Sequence, residues 1–297
     1  MTRAVLSSRL SLSRIVYGMW RLGDDSDTSA RHVQAKIEMC LEHGISTMDQ
    51  ADIYGGYEAE ALLGNCLKAS PALRDRIEIV TKCGIIAPVG RYSDARLKHY
   101  DTSPAHITAS IEQSLKNMRT NQIDLLLIHR PDPFMDHEKT GRALDDAIGS
   151  GKIRSVGVSN FRPHDIRLLQ SAMHRQLVTN QIELSLIETA AFSNGDLAFM
   201  QESGMATMAW SPLGGGKLFG DEHHALLTKL SEMGERHGIE AGAMAIAWLL
   251  AHPAGIIPII GTNKLDRISA MAKATGVKLD REDWFELYTA AIGREVA

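Results

Sequence analysis

The chain of 297 residues has few cysteines, and their spacing excludes the sites that cysteine usually builds. Cys40, Cys66 and Cys83 are odd in number and form no CxxC pair, so neither a disulfide framework nor a cysteine-rich metal site is expected. Reduced, partly buried thiols are typical of cytosolic proteins, and we predict a cytoplasmic location.

Long apolar segments and clustered positive charge are missing as well. No run reaches the roughly 18 apolar residues of a membrane helix, and the N-terminus lacks the apolar centre of a signal peptide. The net charge is −4, and no polybasic run suits a nucleic acid. We therefore predict neither a membrane span nor a nucleic-acid partner. A local positive patch for an anionic cofactor is compatible with this overall charge.

The sequence instead contains a regular alternation of strand-like and helix-like segments. Residues 1–13 alternate leucines with polar residues and predict a β-hairpin that plugs a barrel floor. After it, every strand-like segment is followed by at least one helix, which implies a parallel sheet. Eight such repeats predict an α/β fold closed into a (β/α)₈ TIM barrel with extra helices, in a single domain over 1–297. The predicted strands are 14–20, 45–49, 78–82, 123–129, 153–159, 178–183, 206–211 and 255–261.

Residues 84–103 break this alternation with little periodicity. A connection of that length in a compact domain is usually functional or mobile, and we expect it to line a substrate pocket through residues such as Ile86. Ser103 and Pro104 predict the N-cap and first residue of the helix that follows.

Four residues with acid–base chemistry lie at or just past the ends of predicted strands: Asp49, Tyr54, Lys82 and His129. The carboxyl ends of the strands in a parallel barrel share one face, where active sites are built. Each residue alone has a simpler interpretation: a packing tyrosine, a structural Lys82–Asp49 ion pair, and a hydrogen-bonded core histidine. Buried ion pairs are costly to desolvate, which weakens stability as the reason for this one. An ammonium beside Tyr54 lowers the pKa of the phenol and predicts a proton donor that works near neutral pH.

On these and later motifs, the sequence resembles the aldo-keto reductases, in particular the bacterial YdhF-like type with a short C-terminal tail. The resemblance covers nearly the whole chain in the family's order. It implies a barrel that reduces carbonyls to alcohols with NADPH, with Tyr54 as general acid, Lys82 and Asp49 tuning it, and His129 orienting the carbonyl oxygen. The matching motifs are Asp49-x-Ala51-x-x-Tyr54-Gly55, Thr81-Lys82, Leu126-Leu127-Ile128-His129, and the segments 151–161, 180–183, 210–214 and 257–262.

Polar and small residues at the ends of the later strands predict the cofactor site. Side chains after strands five and six can hydrogen-bond a carboxamide, as the family does with nicotinamide, and Trp210 offers a stacking face where the family often has tyrosine. The helix after strand eight can bind phosphate at its N-terminus, and by resemblance Arg267 meets the 2′-phosphate or adenine. The predicted cofactor contacts are Gly18, Met19, Trp20, Asp49, Ser159, Asn160, Gln181, Trp210, Ser211, Leu213, Gly215, Gly261, Thr262, Asn263 and Arg267.

Some features depart from the family or only imitate other motifs. Many members carry Glu and Asn three and four residues after the arginine, where this chain has Ala270 and Met271, so contacts to adenine are in doubt. Residues 214–217 resemble a phosphate loop, but Leu218 stands where Ser or Thr is required. No GxGxxG motif follows a strand, which excludes nucleotide binding in Rossmann fashion.

Three functions remain open from the sequence. The first is an NADPH-dependent reductase of small aldehydes and ketones, with Trp20, Tyr54, Ile86 and His129 facing the substrate in an open, promiscuous site. The second is a regulatory or sensor protein that binds NADPH with little turnover. The third is a metal-dependent hydrolase, which the lack of a clear His/Asp ligand set disfavours. If Arg91 or Lys98 faces the pocket, this would favour a substrate that carries a carboxylate or a phosphate. We expect a monomer and no metal.

Overall fold

An antiparallel hairpin begins the computed structural model, which describes residues 3–297. Its strands are β1 (Arg3–Ser7) and β2 (Leu10–Ser13), and Ala4 pairs with Leu12. Leu10 and Leu12 are buried in one cluster with inward-facing barrel residues such as Val16 and Val80. The hairpin therefore closes the barrel floor, as the sequence predicts, although residues 1 and 2 of the predicted 1–13 segment lie outside the described part.

Eight parallel strands close the barrel in sequence order, and the last pairs with the first. This confirms the (β/α)₈ fold. Two further strands, β6 and β7, form a separate hairpin. The strands are β3 (Val16–Gly18), β4 (Thr47–Asp49), β5 (Glu78–Cys83), β6 (Ile85–Ile86), β7 (His99–Tyr100), β8 (Ile123–Ile128), β9 (Ile153–Ser159), β10 (Leu177–Glu183), β11 (Ala206–Trp210) and β12 (Ile257–Ile260).

The first and last barrel strands are shorter than predicted. β3 and β12 lie inside the predicted ranges 14–20 and 255–261. Gly255 has a φ of +65°, so the chain is still turning there and enters the barrel later than its apolar pattern indicates. At the other end, a backbone hydrogen bond of 2.9 Å from Met19 N to Asp49 O continues the pairing one step beyond β3.

The helices surround the barrel, and Ser103 caps one of them as predicted by accepting a hydrogen bond of 3.3 Å from the backbone N–H of His106. No helix among residues 3–297 is both long and apolar enough to cross a membrane. The helices are α1 (Ala30–Glu42), α2 (Tyr54–Tyr57), α3 (Ala59–Ala69), α4 (Pro104–Met118), α5 (His137–Gly149), α6 (Pro163–Ser171), α7 (Asp196–Glu202), α8 (His224–His237), α9 (Ala241–Ala251), α10 (Leu265–Ala272) and α11 (Arg281–Ile292).

The segment 84–103 has more regular structure than its sequence suggests. Ile85 pairs with Tyr100 and Ile86 with His99, so both ends of the segment are joined in the β6–β7 hairpin. Asp101 N also donates to Gly84 O at 3.1 Å. These hydrogen bonds join the first and last residues of the segment. The segment is therefore a loop with both ends fixed beside the barrel mouth.

Strand alternation places the acid–base residues inside the barrel mouth. On β5, Val80 packs in the barrel interior and Ile79 packs between the barrel and the helices. Side chains two residues apart on a strand share a face, so Lys82 lies above Val80 and points into the barrel. On the neighbouring β4, Met48 faces the helices and Asp49 therefore faces inward beside Lys82. The predicted neighbourhood of these two residues follows directly from the register.

Candidate active site

A buried lysine forms the centre of the site. Lys82 Nζ donates to Asp49 Oδ2 at 2.7 Å, to the backbone oxygen of Gln50 at 2.8 Å and to Tyr54 Oη at 3.1 Å. The lysine and aspartate side chains are 1% and 3% exposed. Burial acts to lower the pKa of Lys82, but Asp49 and Tyr54 act in the other direction and the pKa is raised overall. The lysine therefore stays a cation and holds the phenol of Tyr54.

Gln181 supports this pair from across the barrel. Its Nε2 donates to Asp49 Oδ1 at 2.9 Å, so both carboxylate oxygens of the aspartate have a partner. The sequence predicts Gln181 as a carboxamide ligand of the cofactor. In the structure the side-chain N–H₂ group of Gln181 donates to the Asp49 carboxylate instead. This bond connects β10 to β4 across the barrel interior.

Tyr54 reaches the lysine because the chain turns sharply after β4. Gly55 and Gly56 follow it with φ of +58° and +67°, in the left-handed region that glycine adopts without strain. The sequence predicts that Lys82 lowers the pKa of Tyr54, and Lys82 does act in that direction, but the pKa is raised overall. Burial is the largest influence on the pKa of Tyr54 and raises it, while the charge and hydrogen bond of Lys82 act to lower it. The protonated phenol is therefore the stable form at neutral pH.

His129 stands beside the tyrosine as a neutral imidazole. The two rings lie 6.0 Å apart between centroids and are nearly perpendicular at 76°. Burial lowers the pKa of His129 well below its usual value, and the nearby cations Lys82 and Arg130 add to this shift. Its Nδ1 is buried and has no hydrogen-bond partner among the described residues. Nε2 is not among the buried side-chain atoms that lack a partner in the described chain.

The strand-end residues that the sequence assigns to the carboxamide form one connected polar chain. Trp210 Nε1 donates to Asn160 Oδ1 at 2.9 Å, and Asn160 Nδ2 donates to Ser159 Oγ at 2.8 Å. Ser159 Oγ in turn donates to the backbone oxygen of Gln181 at 2.9 Å. Asn160 has a left-handed φ of +61°, which turns its amide back over the barrel mouth. These bonds fix the indole plane of Trp210 at the edge of the site.

Two loops bring the remaining predicted cofactor residues to one side of the mouth. The loop after β11 contains Ser211, Leu213 and Gly215, and Arg21 Nη2 donates to the Gly215 oxygen at 2.8 Å. Asn263, after β12, donates to the Arg21 oxygen at 2.6 Å. Gly261, Thr262 and Arg267 belong to the same side, since the strands β11, β12 and β3 are neighbours.

The N-terminus of α10 is only partly satisfied. Lys264 occupies its N-cap position and makes no side-chain capping bond, while the N–H of Arg267 donates to Asp266 Oδ1 at 2.9 Å. The donors that a cap leaves unsatisfied are therefore those of the first two helical residues. Arg267 is exposed on the first turn of this helix. A helix start of this kind, with exposed Gly261 before it, has the donors and the space that a phosphate needs.

Some predicted contact residues lie in positions that limit their role. Met19 is 1% exposed and its side chain packs between barrel and helices, so only its backbone can face the mouth. Ile86 is 8% exposed on β6 and offers little area to a substrate, whereas Trp20 is 57% exposed. A Cβ on Gly18 would lie 2.8 Å from Ile259 Cγ2, so barrel packing alone accounts for that glycine.

Asp52 and Arg91 form a contact beside the site that the sequence does not predict, and Arg130 lies at the edge of the site. Asp52 is fully buried behind Tyr54 and pairs with Arg91 at 3.0 Å, so Arg91 does not present a free cation to a substrate. Arg130 lies 5.7 Å from the Trp210 ring centroid and has no carboxylate partner within residues 3–297. Asp52 and Arg130 lie close to Tyr54 and His129 in sequence, which was an available signal. Arg91 lies in the 84–103 loop, and its partner Asp52 is 39 residues away.

No group of three His, Cys, Asp or Glu side chains in the described range 3–297 is arranged to hold a metal ion. Lys98, the other cation considered for the substrate, is exposed on the 84–103 loop. It acts with Lys82 and Arg130 to lower the pKa of His129.

Comparisons with known proteins agree with this geometry. The model of the aldo/keto reductase family matches residues 14–291. A 6-dehydroglucose reductase of Agrobacterium fabrum (strain C58) is 63% identical over 297 residues, which is 100% of both chains. Oxidoreductase YdhF of Escherichia coli (strain K12) is 44% identical over 96% of this chain and 95% of its own.

A solved structure has the same fold. The aldo-keto reductase from Klebsiella pneumoniae in complex with NADPH superposes with a TM-score of 0.80, over 97% of this chain and 94% of that one. The two sequences are 23% identical, a level at which the likeness concerns the barrel itself.

Proposed function

The chain belongs to the aldo/keto reductase family, and we propose that it reduces aldehydes and ketones to alcohols with NADPH, using Tyr54 as the proton donor. The observation that carries this proposal is the buried chain from Asp49 through Lys82 to Tyr54, with bonds of 2.7 and 3.1 Å. A charge pair that is nearly inaccessible to water has little value for stability, because both ions lose their hydration. We infer that the Lys82–Asp49 pair serves to hold the phenol of Tyr54 at the barrel mouth.

The proposed reaction divides the work between the cofactor and the protein. Bound NADPH supplies a hydride to the carbonyl carbon. Tyr54 donates the phenolic proton to the carbonyl oxygen, and the resulting phenolate is stabilised by Lys82 at 3.1 Å. His129, kept neutral by burial, donates a hydrogen bond from Nε2 that orients the same oxygen. One hydride and one proton convert the carbonyl to an alcohol.

The residues around the mouth suit NADPH in chemistry and position. Asn160, Ser159 and the side-chain oxygen of Gln181 are the amide and hydroxyl groups proposed to bind the carboxamide, and Trp210 gives an aromatic face. The N–H₂ group of Gln181 is engaged by Asp49. The uncapped start of α10 and the neighbouring Gly261 suit a phosphate. Arg267 adds a positive charge for a 2′-phosphate.

We propose that the substrates include sugar aldehydes of the 6-dehydroglucose type. The relative named 6-dehydroglucose reductase is 63% identical over the full length of both chains. In such a substrate the reacting group is the aldehyde at C6, and its reduction gives the primary alcohol of glucose. Arg130 at the mouth has no carboxylate partner in the described chain, so it can donate to the hydroxyl groups of a sugar.

Consumption of NADPH tests this function. The purified protein is mixed with NADPH and 6-dehydroglucose, and loss of the nicotinamide absorbance and formation of glucose are followed together. We expect turnover with a higher kcat/KM than with an unsubstituted aromatic aldehyde, because only the sugar can use the polar donors of the mouth. Tight NADPH binding without turnover of either aldehyde would favour the regulatory protein instead. Absence of nucleotide binding would contradict both.

Arg267 gives a separate prediction about the cofactor. Replacing Arg267 by methionine is expected to raise the dissociation constant for NADPH by about tenfold, because one charge-assisted contact to phosphate contributes roughly 1.5 kcal/mol or more. The dissociation constant for NADH, which lacks the 2′-phosphate, should stay unchanged. Tryptophan quenching measures both. An equal loss for the two nucleotides would place Arg267 elsewhere than at the 2′-phosphate, and Arg281→Met on α11 is the control.

We also propose that the protein acts as a single-domain monomer in the cytoplasm. The three cysteines are buried and unpaired, which suits a reducing compartment. Sedimentation of the purified protein at micromolar concentration would test the monomer.

A further inference from the structure

A second pair, of the buried Asp52 with the partly exposed Arg91, lies behind Tyr54. Arg91 Nη2 donates to Asp52 Oδ2 at 3.0 Å, and the two side chains are 25% and 0% exposed. Asp52 Oδ1 is buried without a hydrogen-bond partner among the described residues, so Arg91 is the only side chain that bonds its carboxylate there. Burial and the charge of Glu60 raise the pKa of Asp52 to about 8, while the charge of Arg91 opposes this shift. Burying Asp52 therefore costs free energy of desolvation, and the value of its bond to Arg91 must lie in what the bond holds together.

Arg91 holds two segments through its stacking as well as its charge. Its guanidinium lies 4.9 Å from the Tyr57 ring centroid and 4.8 Å from that of Tyr92. The two tyrosine rings contact each other edge to face at 5.1 Å. Tyr57 belongs to the turn that carries Tyr54, whereas Arg91 and Tyr92 belong to the 84–103 loop. The guanidinium therefore joins the loop to the turn at two points, Asp52 and Tyr57, and its contact with Tyr92 lies within the loop.

The backbone packs closely at the same junction. A Cβ on Gly90 would lie 2.2 Å from the Gly56 oxygen, so only glycine allows the loop to approach the turn this far. Tyr57 Oη donates to the Ile85 oxygen at 3.1 Å and accepts from the Ala87 N–H at 3.0 Å. These contacts fix the loop against Tyr57 at several places.

The turn needs such support because of its own conformation. Gly55, Gly56 and Tyr57 follow one another with φ of +58°, +67° and +76°. A left-handed φ is unfavourable for tyrosine, and a residue keeps it only where surrounding contacts enforce it. At the other side of Tyr54, the Asp52 N–H donates to the Lys82 oxygen at 3.0 Å. Tyr54 thus lies between two anchored residues, Asp52 and Tyr57, both held by Arg91.

We propose that Arg91 and Asp52 are positioning residues that fix the turn 52–57 against the 84–103 loop, and so hold the Tyr54 hydroxyl at Lys82 for proton transfer. The inference rests on the proposed function of Tyr54 as proton donor. It assigns the 84–103 loop a fixed role as a support for the tyrosine, through the bond from Arg91 to the buried Asp52.

Kinetics of three variants test the proposal. Arg91→Met removes charge and stacking, Asp52→Asn removes the charge of the acceptor, and Arg91→Lys keeps only the charge. We expect Arg91→Met to lower kcat for aldehyde reduction by up to about 100-fold with a much smaller change in KM, since displacement of a reacting group by about 1 Å has that effect. Arg91→Lys should recover part of kcat, because lysine cannot stack or bond as a planar fork. Arg142→Met, which breaks an exposed arginine–glutamate pair on α5, is the matched control.

The pH dependence separates positioning from mere loss of stability. If the turn loosens, Lys82 acts less on Tyr54, and the pKa of the phenol rises further. The alkaline limb of the kcat profile should then move to higher pH in Arg91→Met and stay in place in Arg142→Met. The proposal would be overturned if Arg91→Met had a lower melting temperature but kept the wild-type pH profile and the wild-type kcat at temperatures where it is folded.

Two readouts do not depend on turnover, so failure of the reductase function and failure of this inference are distinguishable. Hydrogen exchange of the protein without cofactor should become faster in the peptides that cover 52–57 and 84–100 in Arg91→Met, and not in the control. The tyrosinate absorbance of Tyr54, taken as the difference from Tyr54→Phe, should titrate at higher pH in Arg91→Met. Unchanged hydrogen exchange and an unchanged Tyr54 titration in Arg91→Met would overturn the positioning role, even if the enzyme is active. Absence of turnover in the wild type would overturn only the proposed reductase function.

Discussion

Replacement of Tyr54 by phenylalanine is expected to lower the rate of aldehyde reduction by about 10²–10⁴-fold, the range that a positioned general acid contributes. The substitution removes one oxygen and leaves the ring, so the edge-to-face contact with His129 at 6.0 Å can persist. Lys82 keeps its bonds to Asp49 and to the Gln50 oxygen. NADPH binding, measured by tryptophan quenching, should therefore stay close to wild type while kcat falls.

The pKa of Tyr54 also determines the direction of the pH dependence. Reduction needs the protonated phenol. Because burial raises the pKa of Tyr54, kcat for reduction should be flat through neutral pH and fall only as the pH rises through that raised pKa. Alcohol oxidation needs the phenolate and should increase over the same alkaline range. The residual activity of Tyr54→Phe should show neither the alkaline fall in reduction nor the alkaline rise in oxidation.

A distant tyrosine provides the control for this substitution. Tyr288 lies on α11 in an aromatic cluster with Trp248 and Trp284, and Tyr288→Phe should keep the wild-type rate and pH profile. If Tyr54→Phe retained more than about a tenth of the wild-type kcat, the proton would have to come from another group, since general acid catalysis contributes more than that. His129 would then be the next donor to test.

The sequence predicts the barrel and the Lys82 site well because both follow from short-range patterns. Alternation along β5 puts Lys82 on the face of Val80, and the parallel register puts Asp49 beside it. Nothing further is needed to predict the ion pair. The hairpin of Leu10 and Leu12 is predictable for the same reason, since its period of two is visible in the sequence.

Other properties depend on contacts that no local pattern contains. The net pKa shift of Tyr54 is a balance between burial and the charge of Lys82, and the extent of burial is known only once the turn is built. Arg91 is 39 residues from Asp52 in a loop without periodicity, so the sequence gives no sign of their pairing. Met19 lies within the predicted strand 14–20 but follows β3 in the structure, and its side chain is in the outer core.

Replacement of Lys82 by methionine should have the second large effect, on stability as well as rate. Methionine fills a similar volume but leaves Asp49 buried without its counter-ion, at 3% exposure of the carboxylate side chain. Breaking a buried pair from one side typically costs about 3–5 kcal/mol, because the remaining charge is uncompensated. Urea unfolding followed by circular dichroism should show this loss of unfolding free energy. Turnover should fall as well, because the phenolate of Tyr54 loses its cation.

Two further variants separate the charge effect from a packing effect. In Lys82→Met with Asp49→Asn, the uncompensated charge is gone, so part of the lost stability should return while turnover stays low. Lys139→Met removes the lysine of an exposed pair with Asp136, where the side chains are 65% and 50% exposed, and should leave stability and rate unchanged.

The double variant is decisive because stability and catalysis predict opposite outcomes for it. If the Lys82–Asp49 pair existed only to stabilise the barrel, turnover would recover together with stability in the double variant, because no uncompensated charge remains. If the pair exists to hold and charge-stabilise Tyr54, the double variant should be more stable than Lys82→Met and equally inactive. The bond of 3.1 Å from Lys82 to the phenol favours the second outcome, since a structural pair has no need of that third partner. A double variant as unstable as the single one, with turnover restored, would refute the role of Lys82 in proton transfer.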